Sequence, residues 1–163
     1  MIPATTPYRV LLVDDRPESL SGLRVQLELR GYRVDSVEGV LYAMWAVNAS
    51  HRVYDLVVCA VELADGDGIE LMTRLRDRMG VRTVGLTRPG ADTVARRAAA
   101  SPAVDLVLPH PAGARANEPL CQTICEAASN LMRPVQPRVS PSSSSSSRPA
   151  SPPAPTIHPP SVA

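Results

Sequence analysis

The stretch Tyr54–Gly68, YDLVVCAVELADGDG, constrains the fold of this chain more than any other. It opens with an unbroken apolar run, Leu56-Val57-Val58-Cys59-Ala60-Val61. A strand with one wet face alternates polar and apolar residues. A run without alternation reads as a strand covered on both faces, as the strands of a parallel sheet are. The run ends in an acidic turn, Ala64-Asp65-Gly66-Asp67-Gly68. Ile69, Leu71, Met72, Leu75 and Met79 then recur at helical spacing. This is a βα unit with its loop at the carboxyl end of the strand, where open α/β sheets build their sites.

The rest of the chain repeats the alternation. Arg9–Val13 reads as a first strand running into Asp14-Asp15. Pro17 stands where the first turn of a helix accepts proline, Leu20, Leu23 and Leu27 form an apolar stripe, and Gly31 suits the end of that helix. Tyr32–Val37 is a second strand. Val40–Asn48 is an unusually apolar helix, expected to be mostly core, whose Val40, Leu41, Met44, Trp45 and Val47 cannot all share one face; any remainder left exposed would form a contact patch. Val81–Thr87 is a fourth strand, Ala91–Ala100 an alanine-rich helix, Val104–Leu108 a fifth strand, and Pro119–Met132 a last helix. Five strand–helix alternations predict a doubly wound α/β sandwich around a parallel sheet.

The predicted organisation is an extension over residues 1–7, one domain over 8–132, and a tail over 133–163. More than half of that tail is proline or serine. Such a segment has little to bury against its ordering entropy and is expected to be disordered. Its Pro-x-x-Pro spacings (Pro134 to Pro137, Pro152 to Pro155) follow from composition alone. Phenylalanine is absent, so the core must be aliphatic. A formal net charge of +1 gives no footprint for nucleic acid or an anionic membrane. No apolar run approaches the ~18 residues of a membrane span, and the N-terminus lacks the pattern of a signal peptide. Cys59, Cys121 and Cys125 lie in apolar patterns and are expected to be reduced, buried thiols in a cytoplasmic protein. Cys121 and Cys125 with His110 form a thin zinc alternative.

The motif Tyr-Asp, apolar strand, acidic turn, Asp-Gly resembles the receiver domain of bacterial-type response regulators. Laid over that family without a gap, Tyr54-Asp55 takes the opening pair and Asp67-Gly68 the closing pair. The phosphoacceptor aspartate falls on Ala60 and the usual proline on Ala64. Asp14 and Asp15 match the acidic pair that holds Mg²⁺, Thr87 matches the hydroxyl that ends strand four, and His110-Pro111 takes the Lys-Pro position. The resemblance covers roughly the first 130 residues. It implies a CheY-like, flavodoxin-like (βα)5 fold with strand order 2-1-3-4-5. It also implies a metal site from Asp14, Asp15 and the backbone carbonyl of Glu62.

Two of the five functional positions have changed chemistry. Alanine supplies neither a nucleophile nor an oxygen ligand, and histidine is a weaker cation than lysine near neutral pH. The pocket is therefore expected to be degenerate, with Mg²⁺ bound weakly or not at all, no other cofactor and no enzymatic activity. The aromatic residue that family members carry in strand five is also missing. The expected function is that of a stand-alone pseudo-receiver in two-component, phosphorelay signalling. It would bind a protein partner (a histidine kinase, a phosphotransfer protein or an output protein) through the helix 4–strand 5–helix 5 face. Two alternatives remain at this point: a working receiver with another acceptor, Glu62 being the nearest carboxylate, and a small-ligand binder using the strand-end crevice. His110 reads as a loop histidine without a ligand, Asp65 as turn chemistry, and Asp67 as the cap of the third helix.

Overall fold

The computed structural model describes residues 8–49, 53–112 and 114–131. Its framework is a parallel sheet of β1 (Arg9–Val13), β2 (Arg33–Val37), β3 (Leu56–Ala60), β4 (Arg82–Thr87) and β5 (Leu106–Pro109). In space the strands run β2-β1-β3-β4-β5, the order the resemblance implies. Leu12 stands opposite Val58, Val58 opposite Val84, and Val84 opposite Leu106.

The helices are α1 (Ser21–Leu29), α2 (Gly39–Ala49), α3 (Gly68–Met79), α4 (Asp92–Ala100) and α5 (Asn117–Leu131). A short 3-10 turn, Pro17–Leu20, precedes α1 and has its proline in the first turn, where a missing N–H leaves no bond unmade. Leu20, Leu23 and Leu27 pack with Leu120, Ile124 and Ala128 of α5 on one face of the sheet. On the other face, Val47 of α2, Leu71, Met72 and Leu75 of α3 and Ala98 of α4 cover Leu11, Val57 and Cys59. Every residue of β3 is buried because each face of that strand meets a helix layer. This is the physical reason its sequence does not alternate.

Tyr54 and Asp55, the pair that opens the motif, hold strand ends together. The Tyr54 hydroxyl donates to Asp35 Oδ2 at 2.8 Å, and Asp55 Oδ2 accepts the Arg9 amide at 2.8 Å. Asp67 caps α3 as expected, its Oδ1 accepting the Ile69 amide at 2.8 Å.

Two expectations gain detail. The apolar cluster of α2 divides between core and surface: Val47 is buried and Val40 and Met44 pack against the core, whereas Leu41 and Trp45 form the exposed remainder, Trp45 to 66%. A helix at the edge of a sheet has room for a narrow buried stripe, which Ala43, Ala46 and Val47 fill here. Asp65 is not merely a turn residue. Its two oxygens accept the Val40 and Leu41 amides at 2.9 and 3.0 Å, so it caps α2 from the loop after β3. The expectations for residues 1–7 and for the tail over 133–163 fall outside the described residues.

Candidate functional site

The carboxyl ends of β1, β3, β4 and β5 converge because the strands are parallel and in register. Val13 pairs with Cys59, so Asp14 lies one step further along, beside Ala60. Ala60 in turn pairs with Leu86, and Thr87 with Pro109. The structure thus brings the expected positions Asp14, Ala60, Thr87 and His110 to one end of the sheet, with Asp15 at its rim.

Asp14 is only 1% exposed, and both of its oxygens are occupied. Oδ1 accepts the Arg16 amide at 2.8 Å, and Oδ2 lies 2.6 Å from His110 Nε2. His110, read as a loop histidine without a ligand, lies in the loop after β5, and its ring is the hydrogen-bond partner of Asp14. A carboxylate has no proton to share, so this contact requires one on Nε2. His110 Nδ1 lies 3.3 Å from the Pro111 carbonyl.

Ser19 Oγ stands 3.5 Å from the same Nε2. Serine, histidine and aspartate together suggest a hydrolytic triad, but the connectivity is wrong. A triad uses one ring nitrogen for the hydroxyl and the other for the carboxylate, whereas here both meet Nε2.

Asp15 is engaged as well. Its Oδ1 accepts the Ala64 amide at 2.7 Å, and its Oδ2 lies 3.5 Å from the Arg88 guanidinium. Asp67 Oδ2, at the far rim, pairs with Arg97 of α4 at 2.8 Å. The Thr87 hydroxyl makes no hydrogen bond among the described residues, and its carbonyl accepts the His110 amide at 2.7 Å. Ala60 is 1% exposed. Glu62 is exposed and opposes Asp67 in a two-stranded hairpin.

A Mg²⁺ ion needs several free oxygens in near-octahedral array. The carboxylate oxygens of Asp14 and Asp15 already have partners, and Ala60 contributes none. These residues do not fit the ion. Among the described residues no group of three or more His, Cys, Asp or Glu side chains is placed to hold a metal. Cys121 and Cys125 approach each other at 3.8 Å, sulfur to sulfur, without His110 beside them. Arg88 and Ser19 belong to the site and were missed in the sequence. The available signal was position alone, since Arg88 follows Thr87 directly at a strand end.

Burial disfavours the Asp14 charge. The hydrogen bond from His110 and that from the Arg16 amide outweigh it and hold the carboxyl below the ordinary 3.8. A folded-state pKa below the unfolded one contributes stability that is present above about pH 4 and lost as pH falls through the lowered value. A His110→Gln variant should have a higher Asp14 pKa and should unfold at higher pH on acidification. Urea melts from pH 6 down to pH 2, compared with the natural protein, measure this. Identical acid limbs would show that His110 does not hold the carboxylate.

The model for the response regulator receiver domain matches residues 10–112. Over 78 residues the chain is 36% identical to the sensor protein EvgS of Escherichia coli K12, covering 47% of this chain and 6% of that protein. It is 34% identical over 70 residues to the transcriptional regulatory protein BasR of the same organism, covering 43% and 31% respectively. It therefore spans less than a third of the length of these curated relatives. The signal receiver domain of an HD domain-containing protein from Pseudomonas fluorescens Pf-5 superposes with a TM-score of 0.66 at 21% identity, covering 80% of this chain and 93% of that one. A CheY-like receiver domain protein from Methanospirillum hungatei JF-1 gives 0.64 at 21% identity, covering 77% and 96%. Among the described residues no helix is long and apolar enough to cross a membrane. Sequence motif, strand order and the matched span agree: the chain belongs to the response regulator receiver domain family.

Proposed function

We propose that this receiver acts by protein contact without phosphoryl transfer. The observation that carries the reading is Ala60, at the acceptor position, beside an Asp14 held by His110 and near an Asp15 that meets Arg88. A receiver stores its signal as an acyl phosphate on a carboxylate held beside a metal. With no carboxylate at that position and no oxygens left over for the ion, the pocket has neither nucleophile nor electrophilic catalyst. In this reading His110 and Arg88 occupy the two aspartates, and the site does not respond to phosphate donors.

The contact surface in this reading is the α4–β5–α5 face. β5 is an edge strand whose Leu106, Val107 and Leu108 are half-buried, and α4 presents Arg96 and Arg97 beside it. The partner is a histidine kinase, a phosphotransfer protein or an output protein of two-component signalling. The unpaired thiols of Cys59, Cys121 and Cys125 accord with a cytoplasmic, reducing setting.

Incubation with acetyl phosphate and Mg²⁺, followed by intact mass measurement, should show no added phosphoryl group. A stoichiometric adduct would sink the reading. Were it to map to Glu62, the chain would be a working receiver with a displaced acceptor.

A further inference from the structure

Two cavities meet at His110 and Pro89. The first, about 210 Å³, is lined by Asp14, Arg16, Ser19 and Arg88 besides those two. The second, about 410 Å³, is walled by Leu108, Pro109, Pro111, Ala112 and the start of α5. They share these two walls, so a ligand lying across Pro89 and His110 would meet cationic side chains on one side and an apolar wall on the other.

The charge at the polar end is not self-cancelling. Asp14 is buried and its two oxygens face the Arg16 amide and His110. The Arg16 guanidinium is exposed and meets no carboxylate among the described residues. Arg88 holds Asp15 only at 3.5 Å and is 38% exposed. An anion entering the first cavity meets two guanidinium groups with donors to spare, and planar guanidinium suits carboxylate, sulfonate or phosphate oxygens. Next to them the prolines and Leu108 present a dry wall with few competing polar groups.

We propose that these adjoining cavities bind a small amphipathic anion, with its head between Arg16 and Arg88 and its apolar body against Leu108, Pro109, Pro111 and Ala112. This inference stands apart from the protein-contact reading. The cationic end lies in the strand-end crevice and the apolar end borders β5 and α5, and a protein that fails to bind a partner could still bind the anion.

The probe is 1-anilinonaphthalene-8-sulfonate, compared with N-phenyl-1-naphthylamine, which has the same ring body without the sulfonate. On the full chain, the sulfonate should bind saturably at one site and at least tenfold more tightly than the amine. An Arg16→Gln, Arg88→Gln double variant should lose that tenfold preference and leave binding of the neutral amine unchanged. An Ala112→Trp variant, which fills the apolar end from an exposed position, should weaken both probes. All three side chains are surface-accessible, so unchanged thermal midpoints are expected and serve as the check on folding. Equal affinity for the two probes would overturn the proposal, as would unsaturable binding, or binding indifferent to the arginine and Ala112 substitutions.

Discussion

A Gly68→Ala variant is expected to lose about 4 kcal/mol of stability or more, at the far end of single-substitution effects. Gly68 opens α3, and its amide donates to the Val61 carbonyl at 2.9 Å. The backbone of β3 runs directly against it. A Cβ on Gly68 would fall inside the Ala60 carbonyl oxygen and 2.9 Å from both the Val61 Cα and the Val61 carbonyl oxygen. Those atoms are backbone at the buried end of the central strand, so no rotamer change relieves the clash. Either α3 lifts away from the sheet or β3 leaves its register. Gly80, the C-cap of α3, is the control. It has φ of 64° and nothing within 4 Å of the added carbon, so alanine there meets only the left-handed conformational penalty, about 1 kcal/mol. Urea unfolding of the two variants separates crowding from conformation. Equal losses would show that the helix and strand can part without harm.

The second large effect is expected for Ala60→Asp, at about 3 kcal/mol. The position is buried, and the register puts it beside Asp14, also buried. A second carboxylate there faces a like charge in a low-dielectric setting. The His110 ring already bonds Asp14. The new group either ionises against Asp14 or takes up a proton, and both routes reduce stability at neutral pH. Ala60→Asn has nearly the same volume without the charge, and it should lose distinctly less. Millimolar Mg²⁺ should restore stability to the aspartate variant by binding its native state, and should leave the natural protein and the asparagine variant unmoved. Equal losses for Asp and Asn would show that space, not charge, is what Ala60 protects. A natural protein stabilised by Mg²⁺ as strongly as the variant would show that a metal site survives without the central carboxylate.

The sheet was legible because it rests on local signals, while its strand order came with the family resemblance. β3 lacks alternation, the turn after it combines glycine with a capping aspartate, and five strand patterns alternate with helical ones. Asp14, Asp15, Thr87 and His110 could be found because the family resemblance assigns them, each lying at or just past the end of a strand. Their partners were not legible. The Asp14–His110 pair joins residues 96 positions apart, and the Asp15–Arg88 pair spans 73. No periodicity reports which side chains meet across a crevice. The exposure of Trp45 in particular was not legible for a different reason. Hydropathy does not reveal how narrow a face an edge helix buries: on α2, Ala43, Ala46 and Val47 are buried, Val40 and Met44 are partly covered, and Leu41, Tyr42 and Trp45 face outward.

The Asp65 cap has a consequence for the order in which this protein assembles and loosens. A local cap closes as soon as its own helix turns. The cap of α2 arrives with a residue 24 or 25 positions further on, after β3 has been laid into the sheet. The first amides of α2 therefore gain protection from hydrogen exchange only when the loop above the crevice is seated, and they lose it whenever that loop lifts. Hydrogen exchange at Val40 and Leu41 is therefore expected to quicken when a ligand or partner lifts the loop that carries Asp65.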